Sequence, residues 1–463
     1  MTVQSHPLRF LIVCSLFGLS AGCATLPDVS RIMDDAPAPR SPQIDSANGP
    51  VSARNSKAIM ARLKSSVAPT DLVERYSAVV ESVSDSPMTK GNKVSLLADG
   101  KATYAAMFKA LQGAKGHINL ESFIIEDDET GRKFADLLLK KQLEGVAVHI
   151  IYDSVGSLST PAAFFQRLTD AGAQVVGFNP LSPLEDRDTW SLTHRDHRKI
   201  LIVDGKLAII GGVNISKVYS SGYRRGHQKS AKAPIHWRDT DVQIEGPAVA
   251  ELQKLFLDTW LRQKGPALAK GNFFPELKEQ GSALVRVAGS TPGETNRIPF
   301  VIYVSAISFA EHSIHLTNSY FIPDQQIEKA LIEAAGRGVD VKLMLPGITD
   351  SKLALYAQRH HYAALLKGGV RVYEHKSSLL HAKTAVIDGV WSTVGSTNLD
   401  YLSLLGNDEV NAVILSKEFA LQMEEMFTRD LAESTPILRE QWEKRPLLPR
   451  FGEWFVNLFQ RWL

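Results

Sequence analysis

Residues 197–205 read His-Arg-Lys-Ile-Leu-Ile-Val-Asp-Gly, and residues 381–389 repeat the pattern as His-Ala-Lys-Thr-Ala-Val-Ile-Asp-Gly. Each copy is followed by a pair of small residues and an Asn, at 211–214 and at 395–398. Every matched position is displaced by one constant offset, since 381 − 197, 383 − 199 and 388 − 204 give the same difference. A constant offset over a segment of this length indicates that the chain contains a duplicated structural unit.

The spacing within each copy predicts a strand and a turn. A His and a Lys two residues apart on a strand point to the same face, and the apolar run after the Lys takes the strand into a core. The Asp-Gly pair predicts a two-residue hairpin turn. In that register Gly212 would lie opposite His197 and Ser396 opposite His381, which would leave room beside each imidazole.

The surrounding sequence alternates short β-rich runs with helix-like stretches, which predicts an α/β fold with parallel strands connected by helices. In the first half we expect strands at 118–125, 146–152 and 174–178 and helices at 102–114, 131–143 and 161–171. The second half repeats the strand order at 314–322, 338–345 and 369–373. We therefore expect an N-terminal lobe at 86–275 (motif 191–218) and a C-terminal lobe at 282–430 (motif 375–402).

The N-terminal residues are typical of an export signal. Residues 1–22 carry an apolar stretch shorter than the roughly 20 residues of a membrane span, followed by small residues. The segment resembles a bacterial lipoprotein signal with Cys23 as the lipidated residue, although Ser20 stands where Leu is usual. A plain signal peptide or a short anchor is the alternative. Residues 23–85 are then a tether, flexible over 24–50 because of its Pro, Asp and Ser content, and a helical lead-in over 52–85.

The last segment, 431–463, contains an aromatic amphipathic helix. Its apolar residues recur at helical spacing and are flanked by Arg450 and Arg461. They are Phe451, Trp454, Phe455, Leu458, Phe459 and Trp462. Such a helix suits a bilayer interface, and packing on the protein's own core is the alternative.

The paired motifs resemble the signature of the phospholipase D superfamily, and within it the bacterial cardiolipin synthases, over about residues 94–430. The resemblance implies two tandem phospholipase D-like α/β sandwich lobes related by a pseudo-twofold axis. It also implies one shared active site at their interface, in which both histidines face one phosphodiester.

The resemblance further implies a mechanism that needs neither metal nor cofactor. His197 would attack phosphorus and form a phosphohistidine, and His381 would act as general acid and then general base. The phosphate oxygens would be held by Lys199, Lys383, Asn214 and Asn398. The aspartates of the catalytic signature, Asp204 and Asp388, are expected to fix the motif rather than touch substrate.

A catalytic histidine needs a carboxylate on its second nitrogen to hold one tautomer. Glu409, 11 residues after Asn398, has the spacing that the family implies for this role, and Asp241 is the matching acid expected in the first copy. This choice gives the first lobe about 16 extra residues. That insertion, roughly 217–236, is rich in cations and is either a lid over anionic headgroups or a solvated polar loop.

The function implied is phosphatidyl transfer that joins two phosphatidylglycerols to give cardiolipin and glycerol, by a monomer that is lipid-anchored at a membrane surface outside the cytoplasm. The sequence does not choose between the inner and outer membranes. A net charge of +2 argues weakly against a nucleic-acid partner. A hydrolytic phospholipase D, a nuclease of the same fold and a non-catalytic lipid-binding scaffold are the alternatives.

Overall fold

The computed structural model describes residues 25–38, 41–64, 70–180, 193–220, 236–268 and 271–463. The helices are α1 Val29–Asp35, α2 Ala53–Lys64, α3 Leu72–Val83, α4 Gly100–Gly113, α5 Glu129–Leu143, α6 Ala162–Asp170, α7 Val249–Arg262, α8 Ile298–Phe309, α9 Gln325–Gly336, α10 Lys352–His360, α11 Tyr362–Lys367, α12 Lys417–Ala432, α13 Arg439–Glu443 and α14 Leu447–Asn457. The strands are β1 Ile44–Ser46, β2 Gly49–Pro50, β3 Met88–Leu97, β4 His117–Ser122, β5 Ala147–Asp153, β6 Gln174–Phe178, β7 Arg195–Asp196, β8 Lys199–Val203, β9 Leu207–Gly211, β10 Trp237–Arg238, β11 Asp241–Glu245, β12 Ala283–Ser290, β13 Ser313–Thr317, β14 Asp340–Pro346, β15 Arg371–His375, β16 Leu379–Leu380, β17 Thr384–Ile387, β18 Trp391–Gly395, β19 Asn407–Leu415 and β20 Ser434–Pro436.

Each lobe contains the same order of strands. In the first lobe the order is β6-β5-β4-β8-β9-β11-β3. In the second it is β15-β14-β13-β17-β18-β19-β12, with β20 added beside β15. The first three strands of each series are parallel and the later ones are antiparallel. The predicted α/β fold with two matching lobes is therefore confirmed.

The two sheets join through β3. The C-terminal half of this strand pairs with β11 of its own lobe, and its N-terminal half pairs antiparallel with β12 of the other. One apolar cluster contains side chains from both lobes, including Ile200 and Val242 of the first and Val285 and Val410 of the second. Burial of this shared apolar surface stabilises one arrangement of the lobes.

The expectation of a flexible tether over residues 24–50 is wrong for the part that the structure describes. Helix α1 and the β1–β2 hairpin pack on the second lobe, with Val29 and Ile44 fully buried, and β1 pairs with β3. A few buried apolar side chains are enough to pack this segment on the protein. The overall Pro-rich composition, on which the expectation rested, does not reveal them. The helix expected over 52–85 is divided into α2 and α3.

The two-residue hairpin expected at each motif is also wrong. Val203 pairs with Leu207 and Ile387 with Trp391, so each turn contains three residues and the register shifts by one. Asp204 and Asp388 adopt left-handed backbone conformations with φ of 53° and 51°. Positive φ at both the Asp and the Gly is the conformation that an Asp-Gly turn favours locally. Each Asp carboxylate is in addition bound by backbone N–H groups of a neighbouring segment.

Candidate active site

The catalytic motifs meet because short strands pair across the lobes. Strand β7, just before His197, runs parallel to the start of β19 in the second lobe, and β16, just before His381, runs parallel to β10 of the first. The His197 N–H donates to the Asp408 carbonyl over 2.9 Å, and the His381 N–H donates to the Arg238 carbonyl over 2.7 Å. Each histidine is therefore positioned by the opposite lobe.

Buried ion pairs hold this crossing together. Asp408 of β19 pairs with His194 and Arg262 of the first lobe at 2.7 and 2.6 Å. On the other side, Arg238 pairs with Asp430 of α12 at 2.7 Å. Asp408, Arg238 and Asp430 are buried, so removal of the partner of any one of them would leave its charge uncompensated.

His197 is oriented by Glu409. Its Nδ1 lies 3.0 and 3.1 Å from the two carboxylate oxygens, and Ser396 Oγ donates to the same carboxylate. Burial opposes ionisation of Glu409, but His197 and Lys199 together hold its pKa below the usual range. An ionised Glu409 accepts from Nδ1–H, which leaves Nε2 as the imidazole nitrogen available for chemistry.

His381 is oriented by Asp239 and not by Asp241, so that prediction was wrong. The Asp239 Oδ2 atom lies 2.6 Å from His381 Nδ1. The Asp241 carboxyl instead accepts from the Val213 N–H at 3.1 Å, and burial raises its pKa well above the usual value.

The strand register explains the error. Asp241 pairs with Gly211 just as Asn411 pairs with Gly395, so Asp239 is the counterpart of Glu409. In the first copy the acid follows its Asn at an interval of 239 − 214, and in the second at 409 − 398. With Asp239 in place of Asp241 as the matching acid, the insertion in the first lobe is two residues shorter than expected. Aligning residues 239–241 (Asp-Thr-Asp) with residues 409–411 (Glu-Val-Asn) would have identified Asp239 from the sequence. Of the two acids in the first copy, however, only Asp241 lies within strand β11.

The small residues after each hairpin make room for the carboxylates rather than for the imidazoles. A Cβ atom on Gly212 would lie 2.2 Å from Asp239 Oδ1. In the second copy Ser396 is small enough for Glu409 and also donates a hydrogen bond to it. A larger side chain at either position would displace the acid that orients the opposite lobe's histidine.

The motif lysines lie beside their histidines and are almost completely buried. Lys199 Nζ donates to the His197 carbonyl, and Lys383 Nζ donates to the His381 carbonyl. Burial lowers the pKa of Lys199 to about 7 and that of Lys383 to about 8, although nearby carboxylates oppose both shifts. A phosphodiester anion would favour the charged form of both.

The histidines influence each other's titration. Burial lowers the pKa of both His197 and His381, and Lys383 lowers it further in each case. The charge of His197 also contributes to the low pKa of His381. Residues of the two motifs therefore lie in one electrostatic environment, and both imidazoles are neutral near pH 7 in the free protein.

The two predicted asparagines are fixed by internal hydrogen bonds. Asn214 Oδ1 accepts from the Ile124 N–H and its Nδ2 donates to the Tyr219 hydroxyl, both at 3.0 Å. Asn398 Oδ1 accepts from Ser319 Oγ at 2.6 Å. These contacts fix both amides; binding of phosphate by either remains a prediction.

Asp204 and Asp388 lie at the far end of strands β8 and β17, away from the histidines. The Asp204 carboxylate accepts from three successive backbone N–H groups, at residues 115–117. Asp388 does the same at residues 311–313 and also accepts from Thr70 Oγ1. Both residues fix the motif strand to the start of the neighbouring strand, as the sequence analysis expected of them.

Aromatic rings surround the second histidine, and the sequence analysis missed them. The rings of Trp237, Tyr219 and Tyr320 lie 4.9, 5.9 and 6.4 Å from that of His381. Beside His197 the described ring is Phe123, at 5.1 Å. Phe123 lies just after β4 and Tyr320 just after β13, the corresponding strand of the second lobe, and that location was the available signal.

Other predicted features lie partly or wholly outside the described residues. Cys23, the signal segment and most of the cationic insertion are among them. In the part of the chain that the structure describes, no cluster of three His, Cys, Asp or Glu side chains is arranged to hold a metal ion. None of the described helices combines the length and apolarity needed to cross a bilayer.

Comparisons with known proteins agree with this geometry. The chain matches the family described as "Cardiolipin synthase, PLD-like domain" over residues 107–222 and 303–431, one segment in each lobe. It belongs to this family. The family is a branch of the phospholipase D superfamily, and the two matched segments contain both histidine motifs.

Similar proteins cover most of the chain. A cardiolipin synthase of Geobacillus sp. is 34% identical over 373 residues, 80% of this chain and 72% of the relative. Cardiolipin synthase A of Pseudomonas fluorescens is 35% identical over 369 residues, 79% of this chain and 74% of the relative. The crystal structure of a phosphatidylserine synthase from Haemophilus influenzae has the same fold, with a TM-score of 0.58, 13% identity and coverage of 83% of this chain and 98% of that one.

Proposed function

We propose that this chain is a cardiolipin synthase that transfers a phosphatidyl group from one phosphatidylglycerol to the terminal hydroxyl of another. The products are cardiolipin and glycerol. The observation that carries the proposal is the crossed arrangement of two His–carboxylate pairs, His197 with Glu409 and His381 with Asp239, in one electrostatic environment with two lysines. The similar cardiolipin synthases support this choice of lipid substrate.

In the first step His197 Nε2 attacks phosphorus, and the bond between phosphorus and the glycerol oxygen breaks. The departing oxygen takes a proton from His381, which must therefore be protonated in the complex. The bound phosphodiester anion raises the pKa of His381 and so promotes this protonation. Lys199 and Lys383 stabilise the charge that develops on the phosphoryl oxygens.

In the second step a hydroxyl of the second phosphatidylglycerol loses its proton to His381 and attacks the phosphohistidine. The phosphorus–nitrogen bond breaks, and His197 returns to its neutral form. Glu409 stabilises the positive charge on His197 while the intermediate exists, and Asp239 does the same for protonated His381. A buried site favours the lipid hydroxyl over water as the acceptor.

A product assay tests the proposal. Purified full-length protein is incubated with phosphatidylglycerol vesicles, and the lipids and free glycerol are separated and quantified. Cardiolipin and glycerol in equal amounts are expected. Phosphatidic acid without cardiolipin would show that water is the acceptor and that the protein is a hydrolytic phospholipase D.

The anchor is a separate part of the proposal. We expect Cys23 to be lipidated after removal of residues 1–22, which would hold a monomeric catalytic body at a membrane surface outside the cytoplasm. Mass spectrometry of the mature N-terminus checks this directly. An unmodified Cys23, or an intact signal segment, would contradict it.

A further inference from the structure

The C-terminal segment exposes an apolar surface. Of the 18 large apolar side chains exposed in the described part of the chain, eight lie between position 447 and the C-terminus. This surface, here called the C-terminal apolar face, consists of Leu447, Leu448, Phe451, Trp454, Phe455, Leu458, Phe459 and Trp462. The sequence left open whether these residues pack on the protein's own core, and their exposure argues against such packing.

Helix α14 places a charged residue against the protein and most of its large apolar residues outward. Glu453 is the buried residue of α14, and its carboxylate binds the Arg445 guanidinium at 2.7 and 3.0 Å. Trp454 and Phe455, next in sequence, are 49% and 50% exposed. An ordinary surface helix has the opposite orientation, with apolar residues inward and charges outward. The orientation of α14 therefore needs an apolar environment outside the protein.

The charges around the face are positive. Lys444, Arg450 and Arg461 are all exposed, whereas the single acid of the segment 444–463, Glu453, is buried in its ion pair. Aromatic residues together with Lys and Arg are typical of helices that lie in a bilayer interface, and cations near the surface add attraction to anionic lipids. A hydrophilic protein partner would not match the apolar area.

The face adjoins the wall of the active site. On the inner side of the segment, Val456 and Leu463 pack against the small cluster of Ile322, Ala354 and Ala357. Tyr320 packs against the same cluster, and its ring lies 6.4 Å from that of His381. The Arg461 guanidinium lies 5.9 Å from the ring of Tyr401. A bilayer in contact with the face would therefore lie beside the aromatic side of the site.

We propose that the C-terminal apolar face inserts into the interface of an anionic phospholipid bilayer and so holds the His381 side of the active site at the level of the lipid headgroups. The partner is the lipid surface itself, bound by aromatic and leucine side chains and by the three exposed cations. This contact is independent of any anchor at Cys23. The membrane contact rests on the proposed function only in the experiment that measures enzyme activity.

The first test locates the tryptophans. Full-length protein is bound to vesicles of phosphatidylcholine and phosphatidylglycerol that contain brominated lipids, and the quenching of tryptophan emission is recorded. Trp454 and Trp462 are exposed, whereas Trp260, Trp391 and Trp442 are buried and shielded from the quencher. Trp237 is half-buried and Trp190 lies outside the described residues, so both are replaced by Phe in the parent protein for this test. The double variant Trp454→Phe/Trp462→Phe, which keeps the face apolar, should lose most of the quenching.

Unchanged quenching in this double variant would overturn the proposal, because the quenched tryptophans would then lie elsewhere. Light scattering checks whether the face instead joins two copies of the chain. A wild-type dimer that dissociates in Trp454→Glu/Phe455→Glu would also overturn the proposal. Neither measurement requires the protein to synthesise cardiolipin.

The second test compares activity on vesicles with activity on detergent micelles. Trp454→Glu/Phe455→Glu should reduce vesicle activity about tenfold or more, because charge replaces buried aromatic area at the interface, and should leave micelle activity unchanged. Leu421→Glu is the matched control, since Leu421 is 61% exposed on α12 and should tolerate the change in both assays. Equal loss in both assays, or no loss in either, would contradict membrane insertion. A wild type without activity in either assay would count against the proposed function, not against the docking.

Discussion

The surroundings of His197 and His381 differ although their catalytic groups match. Each imidazole contacts a carboxylate from the opposite lobe and has a buried lysine beside it. Around His381, however, Tyr219, Trp237 and Tyr320 form an aromatic wall, whereas Phe123 is the ring described beside His197. Duplication supplied two matching sets of reactive groups, and the unequal roles proposed for the two histidines would come from the residues around them.

The largest expected effect separates those roles. His197→Ala and His381→Ala should each lower cardiolipin synthesis by about 10⁴-fold or more, because each removes a group that acts in both steps. On a phosphodiester with a p-nitrophenol leaving group, His381→Ala should still release p-nitrophenol in a burst, since this leaving group needs no general acid. His197→Ala should show no burst. The reverse pattern would exchange the two roles.

Removal of the orienting carboxylates should have the next largest effect. Glu409→Gln and Asp239→Asn should lower kcat by about a hundredfold or more with little change in KM, because the imidazoles lose their tautomer and the stabilisation of positive charge. Asp241→Asn is the matched control, and its kcat should stay within about threefold of wild type because the Asp241 carboxyl accepts from the Val213 N–H rather than orienting an imidazole. A large loss in Asp241→Asn with none in Asp239→Asn would refute the assignment.

The lysines should give an alkaline limb to the pH profile. A lysine is charged below its pKa, so phosphate binding is strongest below pH 7 and weakens as Lys199, with a pKa of about 7, and then Lys383, with a pKa of about 8, lose their protons. The decline in kcat/KM should therefore begin near pH 7. The decline in kcat should begin at higher pH, because bound substrate raises both lysine pKa values. Coincident limbs would argue that these lysines do not contact the phosphodiester.

The smallest effect on activity is expected for the aspartates at the turns. Asp388→Asn should lower the free energy of unfolding by about 2 kcal/mol, because a buried carboxylate that accepts several backbone N–H bonds becomes a neutral amide. Asp204→Asn should cost less, since Asp204 is less buried. Specific activity of the folded protein should change little in either variant. Loss of activity without loss of stability in denaturant melts would make these residues catalytic after all.

Local features of the structure could be predicted from the sequence, whereas features that depend on long-range contacts could not. Strand Gln174–Phe178 agrees with the expectation residue for residue, and helices α4, α5 and α6 begin and end within two residues of it. Periodicity and flanking residues contain that information locally. The hairpin register was missed because the Asp-Gly pair predicts the left-handed conformation but not the third turn residue. The contacts of the Asp204 carboxylate with backbone N–H groups of residues 115–117 are distant in sequence.

Asp239 shows the same limit within the site. Its role depends on the parallel pairing of β10 with β16, which places the first lobe's acid on the second lobe's histidine. A comparison of spacing within one copy cannot reveal a contact made with the other copy. The packed helix α1 and the outward-facing apolar side of α14 likewise depend on which surfaces meet.

The sequence alone determined that two equivalent motifs exist, which residues in them are chemically reactive, and that the fold is α/β with two lobes. A constant offset and strand periodicity are enough for these conclusions, because both are properties of the chain's order. The tertiary structure alone decided which acid serves which histidine and that eight apolar side chains near the C-terminus face outward. The physical reason is that orientation, burial and pKa arise from groups brought together across the two lobes, and their separation in sequence gives no measure of their distance in space.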